Sequence, residues 1–144
     1  MEQVGIFRTL LDGGVLEQCD EVNALQLALQ PGVTGVSQVE RSHQPESNRN
    51  SGFGLYVTSQ FCSERGIFRL ISGNQGLTHS RGAETFHDWP FSGTCVQLKL
   101  NTSDLDAASD RIKEIVTEGE MLAAKEGRIS EASLASKRSS NWIY

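Results

Sequence analysis

Apolar positions recur along the chain at two spacings, and each spacing predicts an element. In the stretch from Asp20, acids stand in the first turn and Val22, Leu25 and Leu29 fall on one helical face until Pro31-Gly32 stops it. A second helix is expected from Gly54 to about Arg65, where Leu55, Thr58, Phe61 and Cys62 share a face and Gly66 stands at the C-terminal cap. A third, clearly amphipathic, is marked by Leu105, Ala108, Ile112, Ile115, Val116 and Met121 or Leu122 and runs to about Lys125. Asn101, Thr102, Ser103 and Asp104 supply capping residues for it.

A two-residue period marks strands instead. Residues 67–71 alternate, and in residues 94–100 Cys95, Gln97 and Lys99 alternate against Val96, Leu98 and Leu100, which predicts a half-buried strand. Between them, residues 72–76 read as a turn and 77–80 as a returning strand; 81–88 have no clear period, and 89–93 read as a bend. Trp89 and Phe91, flanking Pro90, are expected in the core. Near the N-terminus, residues 4–11 form a short apolar piece broken by Asp12, Gly13 and Gly14. Residues 33–51 carry few large apolar side chains and many turn formers, which predicts a long mobile loop, and the polar, Ser-rich segment from Gly127 predicts a frayed tail.

At 144 residues the chain is long enough for one domain with one core. Its formal charge of −5 argues against general nucleic-acid binding, which needs Lys and Arg to neutralise phosphates, but leaves room for a locally positive pocket. Cys19, Cys62 and Cys95 are far apart and odd in number, so they read as reduced packing thiols. His43, His79 and His87 are equally scattered, and no metal-ligand spacing is present. No apolar run is long enough to cross a membrane, and the first residues lack the basic and apolar regions of a signal peptide, so a cytoplasmic protein is expected.

The candidate chemistry lies at Gly52-Phe53-Gly54-Leu55. Two glycines bracket Phe53 just before a helix, where main-chain N–H groups can approach an anion and the helix terminus adds orphan donors and partial positive charge. The segments after these glycines come in a definite order: the helix, then Gly66-Ile67-Phe68-Arg69-Leu70-Ile71-Ser72-Gly73, then Gly93-Thr94 opening a late strand. Across about residues 4–100 this resembles the C-terminal half of the histidine-kinase/gyrase-type (GHKL) ATPase domain, in which a mobile lid precedes a Gly-x-Gly-Leu helix start.

The resemblance implies an α/β fold in its α+β form, a two-layer sandwich with a mixed sheet, helices on one face, the N-terminal part of the fold missing and an added C-terminal helix. Residues 1–101 would be a partial ATP-binding domain with its lid at about 33–51, residues 102–126 the amphipathic helix, and 127–144 the polar tail. By the same resemblance Gly5 would lie beneath the nucleotide, and Gly52, Phe53 and Gly54 would give main-chain contacts to the phosphates. Leu55 would be the first packed residue of the helix, and Thr94 would lie near the adenine. Two positions depart from the pattern: Met1 stands where the adenine-reading Asp would fall and Gln3 where the first glycine would. The helix with the magnesium-holding Asn would precede Met1. ATP and Mg²⁺ are therefore expected of the complete domain, an ATPase or kinase, and weak or no activity of this chain as a fragment or degenerate member. The alternative expectation is a non-catalytic interaction module, a homodimer or partner complex joined through residues 105–125. Neither nucleic acid nor membrane is an expected partner.

Overall fold

The structure, a computed structural model, describes residues 21–35, 43, 51–103, 107–128 and 131–137. Gly5, Cys19, Leu105 and most of the expected lid lie outside them. Helix α1 spans Glu21–Ala28 and helix α2 Gly54–Arg65; strand β1 spans Gly66–Ser80 and strand β2 Ala83–Leu100; helix α3 spans Ala108–Lys125 and the short α4 Leu134–Lys137. The fold is α+β, as the sequence predicts. The sheet among the described residues is a single antiparallel pair, β1 with β2, in place of the mixed sheet expected.

Strand β1 follows α2 with no intervening loop, and this junction shapes the hairpin. A straight strand of its length would span roughly 45–50 Å. Instead the Ser80 hydroxyl donates to the Gly66 carbonyl at 2.8 Å, and the Arg81 N–H donates to the Ser63 carbonyl at 2.7 Å. The two ends of β1 therefore meet, and the strand doubles back on itself. The change of direction falls at Ser72–Gln75, where the register slips and Gly73 takes a φ of 66°. Residues 72–76 are thus a bulge inside one strand rather than a turn between two, and the hairpin turn is Arg81-Gly82. Strand β2 has 18 residues against the 15 of β1 because it runs around the outside of the bend. Its unpaired residues are Trp89, Pro90, Ser92 and Gly93, against Asn74 alone in β1, and Pro90 there removes no ladder donor. Residues 81–88, ambiguous in sequence, are accordingly turn and strand, and residues 89–93, expected as a bend, belong to β2.

Two apolar clusters lie on either side of α2. Leu25, Ala28 and Leu29 from the first helix and its end, Cys62 from α2, and Phe68, Leu70 and Leu77 from β1 form one, with Leu55 and Phe86 packed against it. Both α1 and α2 therefore cover the same face of the sheet. The Glu21 carboxylate accepts from the Asn74 N–H at 3.2 Å, tying the start of α1 to the bulge. On its other side α2 meets α3: Phe53 and Tyr56 pack with Ile115, Val116, Ala123 and Ala132. Helix α3 thus forms a third layer outside α2. Its inward positions include Gly119 and Ala123, whereas Met121 is 62% exposed and Leu122 also faces out. The expectation that Met121 or Leu122 continues the buried face fails because Gly119 makes room for the Tyr56 and Phe53 rings. The tail is not wholly frayed: Ala132 is buried, and Lys137 pairs with Glu120 at 3.1 Å.

The outer strand is formed as expected but not half-buried. Val96, Leu98 and Leu100 pair with Leu70, Phe68 and Gly66, so they point to the helix side, yet all three stay exposed, Leu98 at 48%. Trp89 and Phe91 are exposed too, correcting the expected core role; Trp89 lies over Gly76 and Ile71 on the opposite face. No described helix is long and apolar enough to cross a membrane.

This packing has two measurable consequences. At Gly66 a Cβ would collide with the Lys99 carbonyl, a main-chain group that cannot swing aside. Gly66→Ala is therefore expected to destabilise the chain by about 1–3 kcal/mol in urea unfolding. The Arg111 guanidinium grips Glu64 between α2 and α3, its Nε at 3.0 and 3.2 Å from the two carboxylate oxygens, and these bonds hold the Glu64 carboxyl below the usual carboxylate range. A carboxyl depressed in the folded state contributes stability above its unfolded pKa and loses it as pH falls through the folded one. Glu64→Gln should therefore flatten the acid-side fall of the urea midpoint; an unchanged acid limb would show the pair to be energetically silent.

Candidate functional site

The start of α2 is built from three residues with different tasks. Gly52 has a φ of 73°, and a Cβ there would strike the main chain of Val33. The glycine is needed twice, for its left-handed backbone and for its close approach to the chain leaving α1 at Val33. Phe53 is fully buried, its ring edge-on to Tyr56 with centroids 6.4 Å apart, and it serves the α3-side core. Gly54 is exposed, and nothing lies within 4 Å of where its Cβ would be.

Among the described residues no side chain caps α2. The residue before it, Phe53, has a helical backbone and cannot accept a hydrogen bond through its side chain. Ser51, which could supply a capping hydroxyl, accepts instead from the Ser133 N–H at 3.0 Å and fastens the tail to this loop. Among the described residues no side chain takes up the first N–H groups of α2, the donors that a helix terminus ordinarily gives to a cap or an anion.

Leu55 is half-buried against the sheet-side cluster. Thr94 lies on β2, exposed, its hydroxyl 3.1 Å from that of Ser72 at the last regular pair before the bulge. It does not belong to the cluster around Phe53. The structure therefore joins Ser51, Gly52, Phe53, Gly54 and Leu55 in one feature and leaves Thr94 on the sheet. Gly5 lies outside the described residues.

Other candidate groups have structural tasks. Burial pushes the Cys62 thiol up, away from the reactive thiolate. Among the described residues no group of three His, Cys, Asp or Glu side chains is placed to hold a metal ion. The second feature, unseen in the sequence, is an open groove of about 740 Å³ at the far end of α2, lined by Arg65, Ile67, Ser80, Arg81, Lys99 and Asn101 among others. Its members come from separate stretches of chain, so no local motif announces it.

The chain matches no family model, no curated protein and no solved structure.

The two glycines should respond differently to the same substitution. Gly52→Ala forces a Cβ into Val33 and into a left-handed backbone, and should lower stability by about 1–3 kcal/mol. Gly54→Ala meets open space and should leave stability unchanged or raise it by up to about 1 kcal/mol. Thermal unfolding of the two variants checks the contrast.

Proposed function

We propose that the chain binds the phosphates of ATP at the start of α2, as part of a GHKL-like ATPase or kinase domain. The observation that supports this reading is the uncapped and exposed helix start at Gly54. Here an oxyanion meets main-chain donors and the positive end of the helix dipole without displacing any side chain. Gly52 sets the path of the loop, Phe53 anchors it in the core, and Leu55 ties the first turn to the sheet. Thr94 is assigned to the adenine side and Gly5 to the floor of the pocket by the family resemblance.

This chain's own contribution is small in energy. A helix terminus contributes about 0.3–1 kcal/mol to an exposed anion, and up to about 2 kcal/mol in partly buried geometry. Binding by the chain alone is accordingly weak, and hydrolysis or phosphoryl transfer belongs to the complete domain. Magnesium enters this reading bound to the nucleotide, where it neutralises phosphate charge. A cytoplasmic location accompanies an ATP-dependent role of this kind.

A second reading, self-association through the C-terminal helix, draws on the outward-facing Met121 and Leu122 of α3. Its apolar inner face is already spent on α2, which leaves only that short outer patch for a partner.

Gly54→Asp separates phosphate binding from stability. An acid in the first turn favours the helix dipole by about 0.3–1 kcal/mol but repels a phosphate at the same place. The variant should unfold no earlier than the parent and bind a fluorescent ATP analogue at least severalfold more weakly. Equal affinity in parent and variant would sink the nucleotide reading, and a concentration-dependent sedimentation coefficient abolished by Met121→Lys would favour self-association.

A further inference from the structure

The groove at the C-terminal end of α2 gathers three cations onto one wall of an acidic protein. Arg65 ends the helix, Arg81 occupies the hairpin turn, and Lys99 stands next to last in β2. They meet only because β1 doubles back and brings the turn beside the strand's own beginning. The chain as a whole carries a net charge of −5, so an anion reaching this place is held by the local cluster and not by the overall field.

A helix C-terminus ordinarily repels anions through its orphan carbonyls. Here two of those carbonyls, and that of Gly66 just beyond the helix, are occupied. Ser63 accepts from the Arg81 N–H at 2.7 Å, Arg65 accepts from the Asn101 N–H at 3.0 Å, and Gly66 accepts from the Ser80 hydroxyl at 2.8 Å. Glu64, the acid in the lining, is neutralised by Arg111. The Arg65 guanidinium stacks over the Phe61 ring at 5.2 Å, and Arg81 caps the helix through its main-chain N–H, which leaves its side chain for the groove. Among the described residues no carboxylate pairs with Arg81 or Lys99, and both side chains are exposed.

Arg81 adds an independent sign. It has a φ of 53° and Gly82 one of 75°, so both central residues of the two-residue turn are left-handed. Such a turn favours Asn, Asp or Gly at the first position, and Arg there is strained. It is the one non-glycine residue at positive φ among the described residues, and it stands in the wall of the groove. Strained residues of this kind collect at ligand sites. Ile67, the cross-strand partner of Lys99, supplies an apolar portion beside it, and the volume of about 740 Å³ suits a small molecule.

The geometry points to a binding site for a small organic phosphate in this groove, held by Arg81 and Lys99 with its carbon skeleton against Ile67, the cross-strand partner of Lys99. An arginine fork matches phosphate oxygens in pairs, and lysine adds a mobile point charge. The site is separate from the α2 start: twelve helical residues put it about 18 Å along the axis from Gly54. It does not rest on the nucleotide reading.

The test uses phenyl phosphate and inorganic phosphate as probes, titrated into the full chain and followed by amide chemical shifts. Phenyl phosphate should move the amides of Arg65, Gly66, Arg81 and Asn101, and should bind more tightly than inorganic phosphate. Arg81→Asn removes the charge while placing a favoured residue in the turn. It should unfold at or above the parent's temperature yet bind phenyl phosphate about tenfold more weakly. Lys99→Gln should weaken binding in the same direction. Unchanged affinity in Arg81→Asn would overturn the assignment. So would equal affinity for the two probes, or shifts confined to Gly52, Gly54 and Leu55, which would place the phosphate at the other end of the helix.

Discussion

The burial of α2 on two opposite sides is the constraint that the remaining structure obeys. One side meets the sheet and α1, the other α3 and the returning tail. The helix manages this with few large apolar residues because small hydroxyl side chains fill its tight positions. Ser59 is fully buried and Ser63 nearly so, and each hydroxyl donates to a carbonyl three residues back, Ser59 to Tyr56 and Ser63 to Gln60, both at 2.9 Å. Both hydroxyls are thus satisfied within the helix, and neighbours can approach its backbone closely. An apolar residue of larger volume at either position would push a whole layer away.

From that helix the hairpin takes its shape. With no loop between Arg65 and Gly66, the first residue of β1 starts against the end of α2, and the last residue returns to the same place. The bend that permits this makes β1 the inner strand and β2 the outer one. Phe68, Leu70 and Leu77 are consequently buried while Leu98 and Val96, the cross-strand neighbours of the first two, remain open to solvent. The same bend carries the turn cations to the helix end. Core, exposed stripe and basic groove share one geometric origin.

Much of this was legible in the sequence where composition and boundary agreed. The span of α2 was readable because Gly54 and Gly66 frame a stretch of helix-compatible residues, and α1 was readable from Leu25, Leu29 and Pro31. Strand β1 was misread in its middle because Ser-Gly-Asn-Gln-Gly suits a bulge as well as a turn; only the pairing partner distinguishes them. The inward face of α3 was misassigned near Met121 because hydrophobic periodicity favours large residues, whereas the contact there needs Gly119. At the candidate site the need for glycine was visible, but not its division of labour: Val33, distant in sequence from Gly52, supplies the steric reason for one glycine, and Gly54 faces open space. The groove was invisible because its cations are adjacent only after the hairpin has bent.

The bond between Ser133 and Ser51 spans 82 positions of the chain, and the α3-side cluster ends at Ala132. During synthesis from the N-terminus, α1, α2 and the hairpin are all made before α3 begins. The sheet-side cluster can consolidate at that stage, while Phe53 and Tyr56 still face water on the opposite side of α2. The nascent molecule therefore passes through a period in which its central helix is greasy on one flank, and the translation of α3 and the tail is what seals it. Premature termination before α3 would leave a half-clad helix, and with it a substrate for chaperones rather than a smaller version of the same protein.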